Sequence, residues 1–481
     1  MRSSPGRWRG QLLARPWLLA FVPINAATSG FGVMLPLLIL LRLHGSLLDV
    51  ALAAVLFNIS IILASILWGH LADRYPNRRL FLLVNFAGFG VAYALLGAAP
   101  SLPLLLVVYT LIGLVSPAGG NASNLLLLEQ FSEAERPAAY ASFQEMSILG
   151  AIGGVLVGYA WLELGEALTP LLFVFSLLAF LSVSAVLLGV PPSPRRASAL
   201  EAVRSRDSLI SRLRHSVAFR GSIPFFPRVR LRPGLLARFR LWVVEEMHHE
   251  LPLILIAGFL FNFAANLFNT SYTPYLRSIG IASASIFLVN FANNLTQGFL
   301  YPLSGSLARR EGSDRLVRQA TYVRSLGYLA TVGFTFVPLT VLLAFSANAV
   351  TFAVLGGAIA LYSTASSLIL FRSLARRDAG TVLGVNGALG GVAAVVGALA
   401  SGLISFYVSY RATFLVAAGA LLVSLPLWAA AEVSYGHRLG IGGERRGRRR
   451  ALPRQSGSAA EDGPGEAAPG PRADGPGPPT G

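Results

Sequence analysis

Gly69-His70-Leu71-Ala72-Asp73-Arg74-Tyr75-Pro76-Asn77-Arg78-Arg79 stands between two long apolar runs, 47–68 and 80–99. A related stretch, Gly305-Ser306-Leu307-Ala308-Arg309-Arg310-Glu311-Gly312, occupies the same setting 236 residues later. A short charged turn between two runs of this length is what a helical hairpin needs at a membrane surface, where charge cannot enter the hydrocarbon. Its recurrence says that the chain is built twice over the same plan. The apolar run opening at Trp17 and the one opening at Pro252 or Leu253 are displaced by almost the same interval.

Composition agrees. Of 481 residues 54% are hydrophobic and only 13% charged, with a mean hydropathy of +0.62. A soluble domain carries about 25% charged residues, so the chain is read as membrane-embedded. There is no cysteine, which excludes disulfides, thiolate metal sites and a cysteine nucleophile. All 39 cationic side chains are arginine, which excludes a Walker-type phosphate loop and a Schiff-base lysine.

A span needs about 20 mostly apolar residues. Twelve such runs are expected: 17–41, 47–68, 80–99, 103–128, 138–162 and 169–190, then 251–275, 282–306, 319–341, 346–371, 380–406 and 411–433. The first run continues to Leu41, too far for the core of a signal peptide. Arginine placement tests the count. With a cytoplasmic N-terminus the inner segments hold 35 Arg and the outer loops three, Arg42, Arg277 and Arg411, while Arg324 falls just inside the ninth span. That asymmetry is the positive-inside pattern and places both termini in the cytoplasm of a multi-pass plasma-membrane protein. The net charge of +17 is then spread over loops facing anionic lipid headgroups, and nucleic acid is not an expected partner. The expected organisation is a cytoplasmic N-terminus (1–16), a six-helix bundle (17–190), a basic linker (191–250), a second six-helix bundle (251–433) and a disordered cytoplasmic tail (434–481). Within the linker, 196–217 has helical apolar spacing between arginines and reads either as an in-plane helix or as a plain tether.

Polar side chains inside spans mark a cavity or a partner helix. In the seventh span Asn262, Asn266, Asn269 and Thr273 recur on one helical face, and in the eighth Asn290, Asn293, Asn294 and Gln297 do the same. Two readings stand: interhelical amide bonds, worth about 0.6 kcal/mol each, or a cavity lining. The first half has a thinner set in Asn25, Asn58, Asn121, Asn124 and Gln144. Glu145 is the one acid placed well inside an apolar run. Desolvation of such a carboxyl suits it to carry a proton, and pairing with a nearby arginine is the structural alternative.

Two six-span halves repeated in one chain are the pattern of alternating-access transport folds. The chain resembles the major facilitator superfamily, whose loop between helices 2 and 3 reads Gly-x-x-x-Asp-Arg-x-Gly-Arg-Arg. Gly69, Asp73, Arg74 and Arg78 match, while Pro76 and Asn77 depart from it. The second copy keeps Gly305, Arg310 and Gly312 but has Arg309 in place of the acid. The resemblance covers 17–433 and implies an all-α fold of twelve transmembrane helices in two pseudo-repeats. It also implies a gating network on the cytoplasmic side from Asp73 and Arg78 with an acid at the end of helix 4. Glu129 holds that position, and Arg136 follows in the next loop. Helices 1, 4, 7 and 10 of that fold line a central cavity, which would make Asn25, Asn121, Asn124, Asn262, Asn266 and Tyr362 wall residues.

The expected function is secondary transport of a small uncharged or amphipathic organic solute by a monomer, with the proton as coupling ion at Glu145 and with no cofactor or metal. A multidrug-type efflux antiporter, a facilitative uniporter and a non-transporting receptor or scaffold on the same fold remain alternatives. The fifth span is glycine-rich (Gly150, Gly153, Gly154, Gly158) but lacks the Gly-Pro pair of multidrug antiporters. An intramembrane enzyme is not expected: no His-Glu-x-x-His and no Ser/His/Asp set is present.

Overall fold

The computed structural model describes residues 16–75, 77–98, 101–131, 136–165, 167–190, 250–373 and 379–438. The expectations for 1–15, for the linker 191–249 and for the tail beyond Arg438 lie outside the described residues. Every regular element among the described residues is helical. The first helix, α1, is Phe21–Leu37, entered by a 3₁₀ turn at Pro16–Ala20 and left by a π turn at Leu38–Arg42. Then come α2 (Leu47–Arg74), α3 (Arg78–Ala98), α4 (Leu102–Gln130), α5 (Arg136–Glu163) and α6 (Leu168–Gly189). The second set is α7 (Glu250–Ser278), α8 (Ser283–Glu311), α9 (Ser313–Phe334), α10 (Val341–Ser373), α11 (Ala379–Tyr407) and α12 (Tyr410–Arg438).

Local chemistry sets several of these ends. Ser46 caps α2 in a reciprocal box: its hydroxyl accepts from the Asp49 N–H, and Asp49 Oδ2 accepts from the Ser46 N–H at 2.7 Å. The two copies of the charged turn break their helices differently, as Pro76 suggested. After α2 the chain straightens at Tyr75 (φ −117°, ψ 110°), the conformation a following proline imposes. After α8 it reverses through Gly312 at φ 87°, where a Cβ would be strained.

Ten of the helices are long and apolar enough to cross a membrane. The other two, α8 and α9, fall short in apolarity because one carries the amide stripe and the other three arginines, Arg315, Arg318 and Arg324. They still have 29 and 22 residues and pack on α10, so the twelve-helix architecture holds. The ninth helix corrects the sequence reading. It runs Ser313–Phe334 rather than 319–341, because Arg315 and Arg318 continue the helix while Thr335–Thr340, with Pro338, forms the loop.

Within the first set α1 packs on α5 and α6, α2 on α4, and α3 on α4 and α6. The second set repeats this with α7 on α11, α8 on α10 and α9 on α10. The sets meet chiefly through α2 against α11 and α5 against α8. Glycines permit the closest approaches. A Cβ on Gly402 of α11 would run into Ala51 of α2, and one on Gly158 of α5 into the Phe287 ring of α8. Both contacts lie on the side away from the start of α1, termed here the far side. The opposite side, which holds the two charged turns, is the turn side.

Candidate functional site

On α7, residues 263, 267 and 271 face α11: Gly397 lies against the Phe263 carbonyl and Leu267, and Ser271 hydrogen bonds to Ser401. Phe261, Phe268 and Tyr272 point into the core of the second set, stacking with Tyr362, Tyr328 and Phe352. The remaining arc carries Asn262, Asn266 and Asn269 and is turned toward the first set. On α8, Asn293, Thr296 and Leu300 face α10, while Phe287 and Gly298 face α5. The arc between them carries Asn290, Asn294, Gln297 and Tyr301. Asn294 Nδ2 crosses to the first set and donates to Ser29 Oγ of α1 at 3.3 Å. Asn25 and Gly32 share that face of α1.

These amides use their hydrogen bonds in one way. Asn25, Asn262, Asn266 and Asn290 each donate Nδ2 to the carbonyl four residues back on their own helix, at 2.7, 2.9, 2.9 and 2.9 Å. No described donor reaches their Oδ1 atoms. The half-buried wall between the two sets is therefore lined by amide oxygens with acceptor capacity to spare.

Not every residue singled out in the sequence joins this wall. Asn293 is buried and donates to the Phe352 carbonyl of α10 at 2.8 Å, while its Oδ1 accepts from Gln297 Nε2 at 2.6 Å. It is interhelical packing rather than lining. Tyr362 is 7% exposed, stacked flat on Phe261 and edge-on to Trp428, which puts it in the core of the second set. Asn269 and Asn124 are exposed and Asn121 is half-buried. Glu145 is exposed on the face of α5 that carries the exposed Leu149 and Leu156, away from Gly150 and Gly154, which meet α1. The arc of α5 between α1 and α8 carries Gln144 and Ser147 instead. The acid and the amides are thus not brought together.

For the gating set, Gly69, Asp73 and Arg74 fall in the last turns of α2, Glu129 at the end of α4, and Arg136 opens α5. Their side chains lie outside the described residues. Arg78 is buried and donates to the Tyr75 carbonyl at 3.3 Å. Arg79 donates to the Leu187 carbonyl at the end of α6 at 2.6 Å, a cation at a helix C-terminus. The second set has a counterpart with its signs exchanged. The position 236 residues after Arg78 is Asp314, and the penultimate residue of α10 is Arg372, where α4 has Glu129. Asp314 and Arg372 form a bidentate ion pair, with Nη2–Oδ1 at 2.6 Å. The Arg372 guanidinium also lies 4.1 Å from the Tyr435 ring, and buried Glu250 is within electrostatic reach.

One residue of weight was placed by the sequence without a role. Arg324 is 1% exposed in the middle of α9. Its Nε donates to Tyr328 Oη at 2.7 Å, and the guanidinium lies 5.0 Å from the Phe261 ring. Its Nη1 and the Trp428 Nε1 are buried without partners, and no described carboxylate pairs with it. The sequence reading put it just inside a span beginning at 319 and gave it no role. With the helix starting at Ser313 it sits about 16 Å along the axis, behind the Phe261–Tyr362 layer.

A family model described as Major Facilitator Superfamily matches residues 17–388 and again 254–456. The chain belongs to the Major Facilitator Superfamily. It is 23% identical over 427 residues to the Multidrug resistance protein MdtG of Escherichia coli O9:H4 (strain HS), covering 87% of this chain and 93% of that one. It is 31% identical over 179 residues to the MFS-type transporter SLC18B1 of Mus musculus, covering 35% of this chain and 38% of that relative. Among solved structures it is similar to a peptide transporter POT variant in complex with alafosfalin, with a TM-score of 0.65 and 14% identity over 87% of this chain and 94% of that one. The nucleoside transporter NupG gives a TM-score of 0.57 and 12% identity over 87% and 98%. These proteins are membrane transporters and not enzymes, and the chain is accordingly a multi-pass membrane transporter of this superfamily.

Proposed function

We propose that the chain moves a small, uncharged or amphipathic organic solute rich in N–H or O–H donors through the amide-lined space between its two helix sets. The observation that carries this is the acceptor-rich wall made by Asn25, Asn262, Asn266 and Asn290, with Asn294 spanning to Ser29. Oxygens already aligned and lacking donors reward a solute that supplies them. Arg324 behind the Phe261–Tyr362 layer weighs against a net cation, because its charge is uncompensated and poorly screened there.

Alternating access fits the pattern of contacts. The tight glycine approaches between the sets, Gly402 on Ala51 and Gly158 on Phe287, are on the far side, which corresponds to a state closed there. Opening it requires these contacts to part while the turn side closes. Coupling to protons through Glu145 has no support in this arrangement, since the carboxylate faces away from the amides.

The test is a thermal-stability screen of the detergent-purified protein against pooled neutral solutes. A ligand present at a hundred times its dissociation constant adds about 2.7 kcal/mol to the folded state. The stabilisation is expected to vanish in Asn262→Ala and Asn266→Ala. Asn293→Ala serves as the packing control, lowering the melting temperature without ligand but keeping the ligand response. A hit that survives both cavity substitutions would remove this reading.

A further inference from the structure

The second helix set has a cavity that the transport reading does not use. It opens on the far side, where the end of α7, the α9–α10 turn and the start of α12 converge. Its volume is about 360 Å³. Tyr275 and Asn348 lie at its buried end, at 2% and 0% exposure. Ile279, Phe334, Val337 and Leu339 supply apolar walls, and Arg411 stands at the rim.

Three features make this a built site rather than a gap in packing. First, the Tyr275 hydroxyl is buried and donates to no described acceptor. It lies beside the Asn348 amide, whose own groups are engaged elsewhere: Nδ2 donates to the Ala344 carbonyl at 2.8 Å, and Oδ1 accepts from Tyr272 Oη at 3.3 Å. A phenol O–H kept dry without an acceptor costs stability, so an acceptor arriving from the cavity has a reserved donor. Second, the one charged residue lining the cavity is a cation. Arg411 spends Nη2 on the Thr335 carbonyl and lies 4.5 Å from the Phe336 ring, which fixes its direction. No described acceptor takes its Nε or Nη1, and its charge is within electrostatic reach of Tyr275. Third, the walls between these two donors are apolar and aromatic. We propose that this cavity is a binding site, separate from the central amide wall, for an amphipathic monocarboxylate. The carboxylate would bridge the Arg411 guanidinium and the Tyr275 hydroxyl, and the apolar body would lie against Phe334, Val337 and Leu339.

Charge-assisted hydrogen bonds from a guanidinium are about twice as strong as neutral ones, so the carboxylate rather than the apolar body sets the selectivity. A phosphate would fit the cation as well, but its extra charge and larger hydration shell gain nothing from a single arginine and an apolar wall. Because the cavity opens at the membrane surface, an acidic amphiphile could arrive from water or from the outer layer of the bilayer. Both sources present the same chemistry.

The experiment uses the full chain in maltoside micelles without added lipid, with benzoate and hexanoate as probes and benzamide and hexanol as uncharged counterparts. Binding is read by saturation-transfer NMR titration. Both carboxylates are expected to saturate, with affinities at least about tenfold above those of the uncharged pair. Arg411→Gln should weaken benzoate by about tenfold, and Tyr275→Phe by about fivefold. Asn262→Ala should leave it unchanged, which separates this site from the central one. Tyr275→Phe without ligand should melt at or above the temperature of the parent protein, because it removes an unpaired hydroxyl. Lack of saturable binding, equal binding of benzamide and benzoate, insensitivity to Arg411→Gln, or a lowered melting temperature for Tyr275→Phe would each overturn the proposal. In phosphatidylcholine nanodiscs, competition for the benzoate site by bilayer-embedded oleate would assign the source to the bilayer. Absence of competition would assign it to water, and either result is compatible with the site.

Discussion

The two helix sets share a plan but hold themselves together by different chemistry. In α1–α6 the interhelix hydrogen bonds between described side chains end on backbone carbonyls: Trp68 on Leu114, Asn85 on Val115, Ser176 on Gly90 and Arg79 on Leu187. The helices otherwise close over glycine, with Gly30 under the Phe175 ring, Gly90 under Phe180 and Gly154 on the Ala26 carbonyl. In α7–α12 similar backbone contacts occur, such as Asn293 on the Phe352 carbonyl and Gly397 on the Phe263 carbonyl, but side chains also pair with side chains. Ser271 meets Ser401 and Ser405, Ser405 meets Thr413, Ser304 meets Thr364, and Asp314 and Glu432 pair with Arg372 and Arg318. In a bilayer both devices work, because association there rests on close packing and on interhelical hydrogen bonds rather than on burial from water. A polar network tolerates changes of shape that a backbone contact does not. The first set should therefore be the more brittle to added volume, and the second to changes of charge.

The most severe break of that comparison is at Gly154. A Cβ there would strike the Ala26 carbonyl, which belongs to backbone and cannot swing aside. Gly154→Leu is expected to cost at least about 3 kcal/mol, enough to lose the monodisperse peak in detergent size-exclusion chromatography. Gly153→Ala is the matched control, since nothing lies within 4 Å of its added methyl, and it should elute like the parent. Equal behaviour of the two variants would mean that the α1–α5 contact is not what holds the first set.

Charge is the corresponding lever in the second set. Arg372→Asp places two carboxylates face to face at a site where the side chains are only 22% and 17% exposed. It should destabilise by about 3 kcal/mol. Asp314→Arg combined with Arg372→Asp restores an opposite-charge pair and reproduces the polarity expected for Arg78 and Glu129 in the first set. The double variant is expected to recover at least half of the loss, measured as a coupling in a double-mutant cycle of thermal melts. Recovery would show that the repeat preserves a complementary pair at this turn and leaves its sign free. Additivity of the two losses would show that Glu250 and Tyr435, which also face Arg372, fix the sign.

The same contrast explains what could be read from the sequence. The twelve helices were legible because each span imposes a length and because arginines cannot rest in hydrocarbon. The repeat was legible because both turns keep a leading glycine and an arginine in register, Gly69 with Gly305 and Arg74 with Arg310. The amide stripes on α7 and α8 were visible as helical periodicity, but periodicity does not tell which of two neighbouring arcs faces a cavity. Asn293 and Asn294 are adjacent in sequence, yet one binds the α10 backbone and the other reaches α1. Glu145 was legible as a buried acid only through its distance from the helix end, and it lies on the arc occupied by Leu149 and Leu156. Arg324 was hidden by a shift of six residues in the start of α9, since Arg315 and Arg318 read as loop. The reversal of sign at Asp314 and Arg372 needed both helix ends to be located before the pair could be seen.

The mildest prediction concerns the hydroxyl chain. Ser401 shares a hydrogen bond with Ser271 and also donates to the Leu267 carbonyl at 2.7 Å, with Ser405 and Thr413 continuing the chain toward α12. Ser401→Ala removes two of these bonds but leaves Ser271 a second partner in Ser405 at 2.7 Å, so no hydroxyl is orphaned. Interhelical bonds in a bilayer average about 0.6 kcal/mol and reach about 1.7 kcal/mol, and the loss should fall in that range. Ser405→Ala should cost at least as much, because it too removes two bonds. One of them, to Thr413, is the chain's tie to α12, although Ser271 keeps Ser401 and Thr413 keeps the Ser409 carbonyl. The ordering is checked by thermal melts of the two variants in the same detergent. If Ser401→Ala proved the costlier, the α7–α11 contact would depend on the Leu267 carbonyl bond rather than on the chain of hydroxyls. The second set would then be tied to backbone, as the first one is.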